Sequence, residues 1–308
     1  MDPKQPPAAA FPHALTVEAP QAGTRLDRFV ADAFPGAGRA AVARLIGAGG
    51  VVVNGRRARK GDAVAAGDVV ALSAEPGPVV AVADPQVQLS VVHEDAQLVV
   101  VDKAAGQPSH PLQPGELGTL CGGLLARYPE MAQVGYHGRE PGLLHRLDVG
   151  TSGLLLAARD AATFAALRGQ LVDGGIHKEY LAVCAGELAA PVTLRGYLDA
   201  SGPTVHMRDP ATPASREVTL EVLGAHSGAR PGTSVVRVSA PFAARHQIRA
   251  QLATAGYPLL GDVRYGGPEV SGVEHHLLHA CVLRFEHPVG GAVVELTSEA
   301  PEVFARFA

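Results

Sequence analysis

Between Glu75 and Pro85 the chain reads Glu-Pro-Gly-Pro-Val-Val-Ala-Val-Ala-Asp-Pro, and this break constrains the fold most. Proline lacks an amide donor, so neither a helix nor an inner strand runs through three of them and a glycine. The 308 residues must therefore bury two separate cores, as a length of about 150 residues per domain also suggests. Before the break the pattern is helical. Leu26, Phe29, Val30 and Ala33 mark one apolar face over Thr24–Ala33, with Thr24 placed to cap it. Val42, Leu45 and Ile46 mark a second over Arg39–Ala48, stopped by Gly49-Gly50. Val51–Val53 then reads as a strand, Asn54-Gly55 as a hairpin turn and Val69–Leu72 as a further strand. After the break short β-rich runs recur: Leu89–His93, Leu98–Asp102, Leu154–Ala158, Tyr180–Ala185, Val218–Leu223, Val235–Ala240 and Val293–Thr297. Helical segments intervene at Ala161–Val172 and His246–Ala255, without strict βαβ alternation. The pattern predicts an α+β fold with a mixed, largely antiparallel sheet and a small N-terminal α/β module. The boundaries expected are a loose tail over 1–20, the module over 21–74, a linker over 75–86 and the larger domain over 87–308.

Composition excludes several classes. With 47% hydrophobic and 18% charged residues, the chain is not largely disordered. No uninterrupted apolar run approaches the roughly 18 residues of a membrane span. Met1–Pro20 lacks a basic segment followed by an apolar one, so a cytoplasmic protein is expected. Cys121, Cys184 and Cys281 lie far apart, which argues against a disulfide framework or zinc ribbon. Residues 21–72 hold eight basic side chains against four acidic ones, +4 within a chain of net charge −4, so the remainder carries −8. A basic module on an acidic body suits a localised polyanion-binding face, or simply a solvated surface.

The densest chemistry lies in Gly142-Leu-Leu-His145-Arg146-Leu147-Asp148-Val149-Gly150-Thr151-Ser152-Gly153, which runs into Leu154-Leu155-Leu156. A carboxylate in a glycine-bounded loop beside a core strand can serve as nucleophile or base, and a nearby arginine keeps it ionised. The same residues would also suit a plain turn with an internal Arg–Asp pair. Lys178-Glu179-Tyr180 opens a strand and could present a ring to a planar ligand. Arg245 and Arg249, four apart, would share a helix face near its start, where an anion such as Asp148 or a phosphate would offset the helix dipole. His275-His276-x-x-His279 has the spacing of a helical metal site, but no acidic residue or cysteine completes it and no metal is expected.

In order along the chain, His145-Arg-Leu-Asp148-x-x-Thr151-Ser-Gly, Lys178-x-Tyr180, His246-Gln-Ile-Arg249 and Gly261-Asp262-x-x-Tyr265-Gly266 resemble the RluA-type pseudouridine synthases. Asp102-Lys103 with Gly106 and His110-Pro111, and Leu278-His279-Ala280 with Leu283-x-Phe285 and His287-Pro288, resemble that family's terminal signatures. The likeness spans roughly residues 89–301, and residues 21–72 resemble the RNA-binding domain named for ribosomal protein S-four. The resemblance implies isomerisation of uridine in RNA to pseudouridine, without metal or cofactor. It implies Asp148 as the catalytic carboxylate, Arg249 as its ion partner and Tyr180 packed on the target base. Arg146 and Arg245 would act in base flipping and RNA contact, and His145, Thr151, Leu259 and Leu260 would shape the pocket. Arg39, Arg44, Arg56, Arg57 and Lys60 would contact RNA from the basic module. Ribosomal RNA of the large subunit is favoured as substrate and transfer RNA is the alternative; a monomer is favoured. Two rival readings use the same residues: a catalytically silent RNA-binding or assembly protein, and a glycosidase that releases uracil. The sequence departs from the family at Ala243-Ala244-Arg245 before His246, at Lys103-Ala104-Ala105-Gly106 and at Gly38, and residues 112–140 carry no family motif.

Overall fold

The computed structural model describes residues 13–34, 37–77, 79–202, 204–240 and 243–307. They fall into two units. The first comprises the described residues up to Val80 with Pro111–Glu116, and the second comprises Ala81–His110 with the described residues from Leu117 onward.

The first unit contains β1 (His13–Thr16), α1 (Leu26–Ala33), α2 (Arg39–Gly47), β2 (Val51–Val53), β3 (Arg56–Arg57) and β4 (Val69–Leu72), with sheet order β1-β4-β2-β3. Leu26, Phe29 and Val30 of α1 and Val42 and Ile46 of α2 bury against Val51, Val70 and Leu72, as the helical spacing requires. Two expectations change here. Thr24 does not cap α1; Arg25 occupies that position, with no side-chain cap bond. The segment expected as a loose tail contributes β1 from His13 onward, because β4 has an edge that its backbone donors and acceptors can pair. The part of that tail over 1–12 lies outside the described residues. The Asn54-Gly55 turn forms with both residues at positive φ, 49° and 74°. The Asn54 amide bonds Asp68 Oδ1 and the Val69 amide at 2.8 and 2.9 Å, which ties the hairpin to β4.

The second unit is an α+β fold on a mixed, mostly antiparallel sheet. Its elements are β5 (Ser90–Glu94), β6 (Leu98–Lys103), α3 (Leu120–Arg127), β7 (Ser152–Ala158), α4 (Ala161–Asp173) and β8 (His177–Ala185), followed by β9 (Val192–Asp199), β10 (His206–Arg208), β11 (Ser215–Ser227) and β12 (Thr233–Ser239), then α5 (Gln247–Thr254), β13 (Leu278–Glu286) and β14 (Val293–Thr297). The ten strands run β10-β9-β11-β12-β8-β13-β7-β6-β5, with β14 on the β7 side of β13. All pairs are antiparallel except β13–β7, which meet only at His279–Ser152 and Ala280–Gly153. Gly153 has φ +112°, and a Cβ there would collide with the Ala280 carbonyl, so this contact demands glycine.

Helices cover both faces of β6 and β7, which explains their uninterrupted apolar runs. Val99, Val101, Leu155 and Ala157 pack with Leu120 and Leu124 of α3 and Ile248 and Leu252 of α5. Leu98, Val100, Leu154 and Leu156 pack on the other face with Phe164 and Leu167 of α4. Asp160 caps α4 through the Thr163 amide at 2.9 Å, and Gly174 ends it in the left-handed conformation. The second half of the expected linker belongs to this unit: the Ala81 amide bonds Gly138 O and the Asp84 carboxylate accepts from Gly118 N.

Candidate active site

The loop from β6-side residues into β7 carries Asp148, and neighbouring residues fix it link by link. Ser109 Oγ donates to Leu147 O at 2.7 Å and accepts from Leu147 N at 3.3 Å. Gly106 N and Lys103 Nζ both donate to Val149 O, at 2.8 and 3.2 Å. Thr151 N bonds Asp148 O at 3.0 Å, Thr151 Oγ1 bonds His276 Nε2 at 2.8 Å and Ser152 Oγ bonds His279 Nδ1 at 2.9 Å. Lys103 is fully buried; its ammonium also donates to Ala104 O and Gln107 O, each at 2.8 Å. Burial lowers its pKa to about 8 against the pull of Asp148 and Asp102, so below pH 8 it clamps three carbonyls as a cation.

Arg249 reaches the loop from α5. Its Nη1 donates to Asp148 Oδ2 at 2.9 Å, while Nε and Nη2 grip Asp262 in a bidentate pair, both at 2.7 Å. The Arg249 side chain is 8% exposed and Asp262 1%, against 21% for Asp148, so of the two carboxylates on this guanidinium Asp148 is the one left open. Burial by itself would make the guanidinium easier to deprotonate; the bonds to Asp262 and Asp148 reverse this and raise its pKa. The Tyr265 ring lies over the guanidinium at 5.0 Å. Tyr180 stands on β8 opposite Ala280 and Val238, 3% exposed, in the same core cluster as Ile248 and Leu259. Burial and then the Asp148 charge push its phenol far above the ordinary range, so it enters any chemistry as a neutral hydroxyl.

The structure relocates other expected residues. Arg245 and Arg249 do not share a helix face. The helix starts only at Gln247, and His246 before it is left-handed at φ 56°, so Arg245 turns outward to the carbonyls of Ala200 and Gly202. Gln247–Leu252 of α5 are all buried. Leu259 lines the Tyr180 cluster, but Leu260 faces the opposite side with Val183, Phe304 and Phe307, as adjacent extended residues must. Arg146 is 43% exposed and held by Glu140 at 2.7 Å and His110 at 2.9 Å. His145 accepts from Leu156 N at 3.3 Å; burial, then the Lys178 charge, keep it neutral. The histidine triplet is not on a helix: His276 and His279 bond Thr151 and Ser152, and His279 lies in β13. Among the described residues no three His, Cys, Asp or Glu side chains converge as metal ligands. No helix there is long and apolar enough to cross a membrane. In the first unit Arg39, Arg44, Arg56, Arg57 and Lys60 are all exposed, with Arg57 Nη2 bonded to Gly47 O at 2.9 Å. The sequence named Asp262 only as part of a loop. Its carboxylate, thirteen residues from Arg249, holds the guanidinium more fully than Asp148 does.

A family model described as RNA pseudouridylate synthase matches residues 97–254, and one described as S4 domain matches residues 24–70. The chain is 31% identical over 312 residues to the ribosomal large subunit pseudouridine synthase D of Xylella fastidiosa, covering 96% of this chain and 91% of that one. It is 37% identical over 297 residues to an uncharacterized RNA pseudouridine synthase of Chloroflexus aurantiacus, covering 93% and 90%. In fold it is similar to human RNA pseudouridylate synthase domain containing 1, with a TM-score of 0.55 and 24% identity over 71% of this chain and 86% of that one. With the motif order, the mixed sheet and these matches in agreement, the chain belongs to the RluA family of RNA pseudouridine synthases, isomerases here preceded by an S4 domain.

Proposed function

We propose that this chain isomerises uridine in large-subunit ribosomal RNA, with Asp148 as the catalytic carboxylate. The observation that carries the reading is the open Asp148 carboxylate, fixed at 2.9 Å by a buried guanidinium that Asp262 anchors from behind. Isomerisation breaks the bond from ribose C1′ to uracil N1, turns the ring and joins C1′ to C5. The C5 proton leaves and N1 gains one, so composition is unchanged. Each step needs an ionised carboxylate against the nucleoside and shelter for the detached ring. Arg249 supplies the countercharge, and Tyr180 gives the uracil an apolar face with a neutral hydroxyl at its edge. Arg146 leaves Glu140 to fill the space of the flipped nucleotide, which offsets part of an unstacking cost of a few kcal/mol. Arg245 contacts RNA near the entrance. The exposed Arg39, Arg44, Arg56, Arg57 and Lys60 add sequence-independent phosphate contacts.

Two facts support the ribosomal target: the name that several relatives carry, and the S4 domain. Mapping pseudouridine in ribosomal and transfer RNA from cells with and without this protein tests it. Loss of one or more large-subunit sites is expected. Loss confined to transfer RNA would overturn the target, and no loss in any RNA would overturn the activity in the cell.

A further inference from the structure

His246 belongs to no step above, yet its ring sits beside the carboxylate. Its backbone is left-handed at φ 56°, a conformation in which few residues other than glycine are held, and such strain gathers where a side chain must be aimed. The side chain is 11% exposed, with Nε2 3.8 Å from Asp148 Oδ2. Its other nitrogen, Nδ1, lies 2.8 Å from the Tyr265 hydroxyl. That hydroxyl already accepts the Val205 amide at 3.2 Å. A phenol has a single proton to give. If Nδ1 donated to it, the phenolic proton would be left with no acceptor among the described residues. Donation from Tyr265 to Nδ1 uses every group, and the chain Val205 N–H to Tyr265 O–H to His246 Nδ1 then fixes the proton of the neutral ring on Nε2.

Resting on the reading of Asp148 as the catalytic carboxylate, we propose that His246 Nε2–H is a substrate-binding donor, aimed at a uracil carbonyl oxygen of the target uridine. At 3.8 Å the donor is beyond a full hydrogen bond to Asp148, so it remains available to an acceptor of a nucleoside bound beside that carboxylate. Uracil departs from C1′ with the electron pair of the broken bond, and that charge spreads onto its carbonyl oxygens. A donor fixed in advance stabilises the charge more than it does the neutral nucleoside, so its effect falls on kcat. The groups facing the ring support a neutral donor. Burial lowers its pKa; Asp148 opposes that, while Arg249, Arg245 and Arg264 reinforce it. His276 faces it as a further neutral ring, its own pKa lowered to about 4 by burial and then Arg249.

The test is tritium release from RNA labelled at uridine C5, measured on the full chain. His246→Asn keeps a residue that tolerates the left-handed backbone but is too short to place a donor at Nε2. His246→Gln restores a donor near that point. The expected result is a loss of kcat of about tenfold or more for His246→Asn with KM within about twofold, and partial recovery in His246→Gln. Tyr265→Phe frees the tautomer and should cost about 2- to 5-fold in kcat. Nitrogen-15 NMR of the unmodified protein gives an independent reading that needs no variant, with the His246 proton expected on Nε2. A His246→Asn enzyme within twofold of wild type in kcat, or a proton found on Nδ1, overturns the inference. If Asp148→Asn retained full activity, the reading of Asp148 would fall instead, so the two failures are separable.

Discussion

Replacing Asp262 with asparagine tests the architecture of the site apart from its chemistry. Arg249 is buried and makes three hydrogen bonds to carboxylates, two of them to Asp262 at 2.7 Å and one to Asp148 at 2.9 Å. Removing one partner of a buried ion pair costs about 3–5 kcal/mol. Asparagine keeps one acceptor and Asp148 still neutralises the guanidinium, so the lower end, about 3 kcal/mol, applies. For a unit of this size each kcal/mol moves the melting midpoint by about 2–4 °C, which gives a fall of about 6–12 °C for Asp262→Asn. Asp148 is 21% exposed and holds Arg249 by one bond, so Asp148→Asn should shift the midpoint by no more than about 3 °C. Activity reverses the order. Asp148→Asn removes the carboxylate and should abolish tritium release. Asp262→Asn leaves it in place but lets the guanidinium wander by about an ångström, a displacement able to cost about 100-fold. Thermal melting by circular dichroism and initial-rate tritium release on the same preparations read both quantities. Equal melting shifts in the two variants, or an Asp262→Asn enzyme as stable and active as wild type, would refute the anchoring argument.

Other outcomes follow from individual groups. His276 is held neutral with a pKa of about 4, below its ordinary 6.5. The unfolded chain therefore binds the extra proton first. Stability from this group is complete above about pH 6.5 and declines as pH falls toward 4, by roughly 3 kcal/mol in total. Urea unfolding across that range should show the slope, and His276→Gln should flatten it. Lys103→Met leaves the carbonyls of Ala104, Gln107 and Val149 without their shared donor. It should lower the melting midpoint by several degrees and reduce kcat together, since the Asp148 loop loses its clamp. Arg56→Ala and Lys60→Ala alter exposed cations in the S4 domain. Each should weaken RNA binding evenly across sequences and reduce the slope of log K against log salt by about 1, with folding unchanged.

Local signals carried much of the fold. The spacing of Leu26, Phe29 and Val30, the Asn54-Gly55 turn and the apolar runs of β6 and β7 were readable because each element answers to its own periodicity. β9 and α3 were not foreseen. Val192–Asp199 alternates Val192, Leu194 and Leu198 with Thr193, Arg195 and Asp199, but Gly196 breaks the apolar series, and Leu120–Arg127 contains two glycines that disguise a helix. Expectations that failed depended on distant partners. Thr24 looked like a cap, but α1 starts one residue later, after Arg25, and Arg245 looked like a neighbour of Arg249 only while His246 was assumed to be helical. Leu260 resembled Leu259 in kind, and only the sheet separates them onto opposite faces. Asp148 and Arg249, 101 residues apart, were linked through family resemblance. The anchoring by Asp262 and the proton chain through Tyr265 to His246 depend on tertiary placement that no spacing encodes.

One measurement reaches the centre of this account: uridine conversion in large-subunit ribosomal RNA by wild type and by Asp148→Asn, read both as C5 tritium release and as nucleoside composition after digestion. Wild type should release tritium in step with new pseudouridine and no free uracil, while Asp148→Asn binds the RNA and releases none. Tritium release by Asp148→Asn at the wild-type rate, or free uracil as the wild-type product, would contradict it.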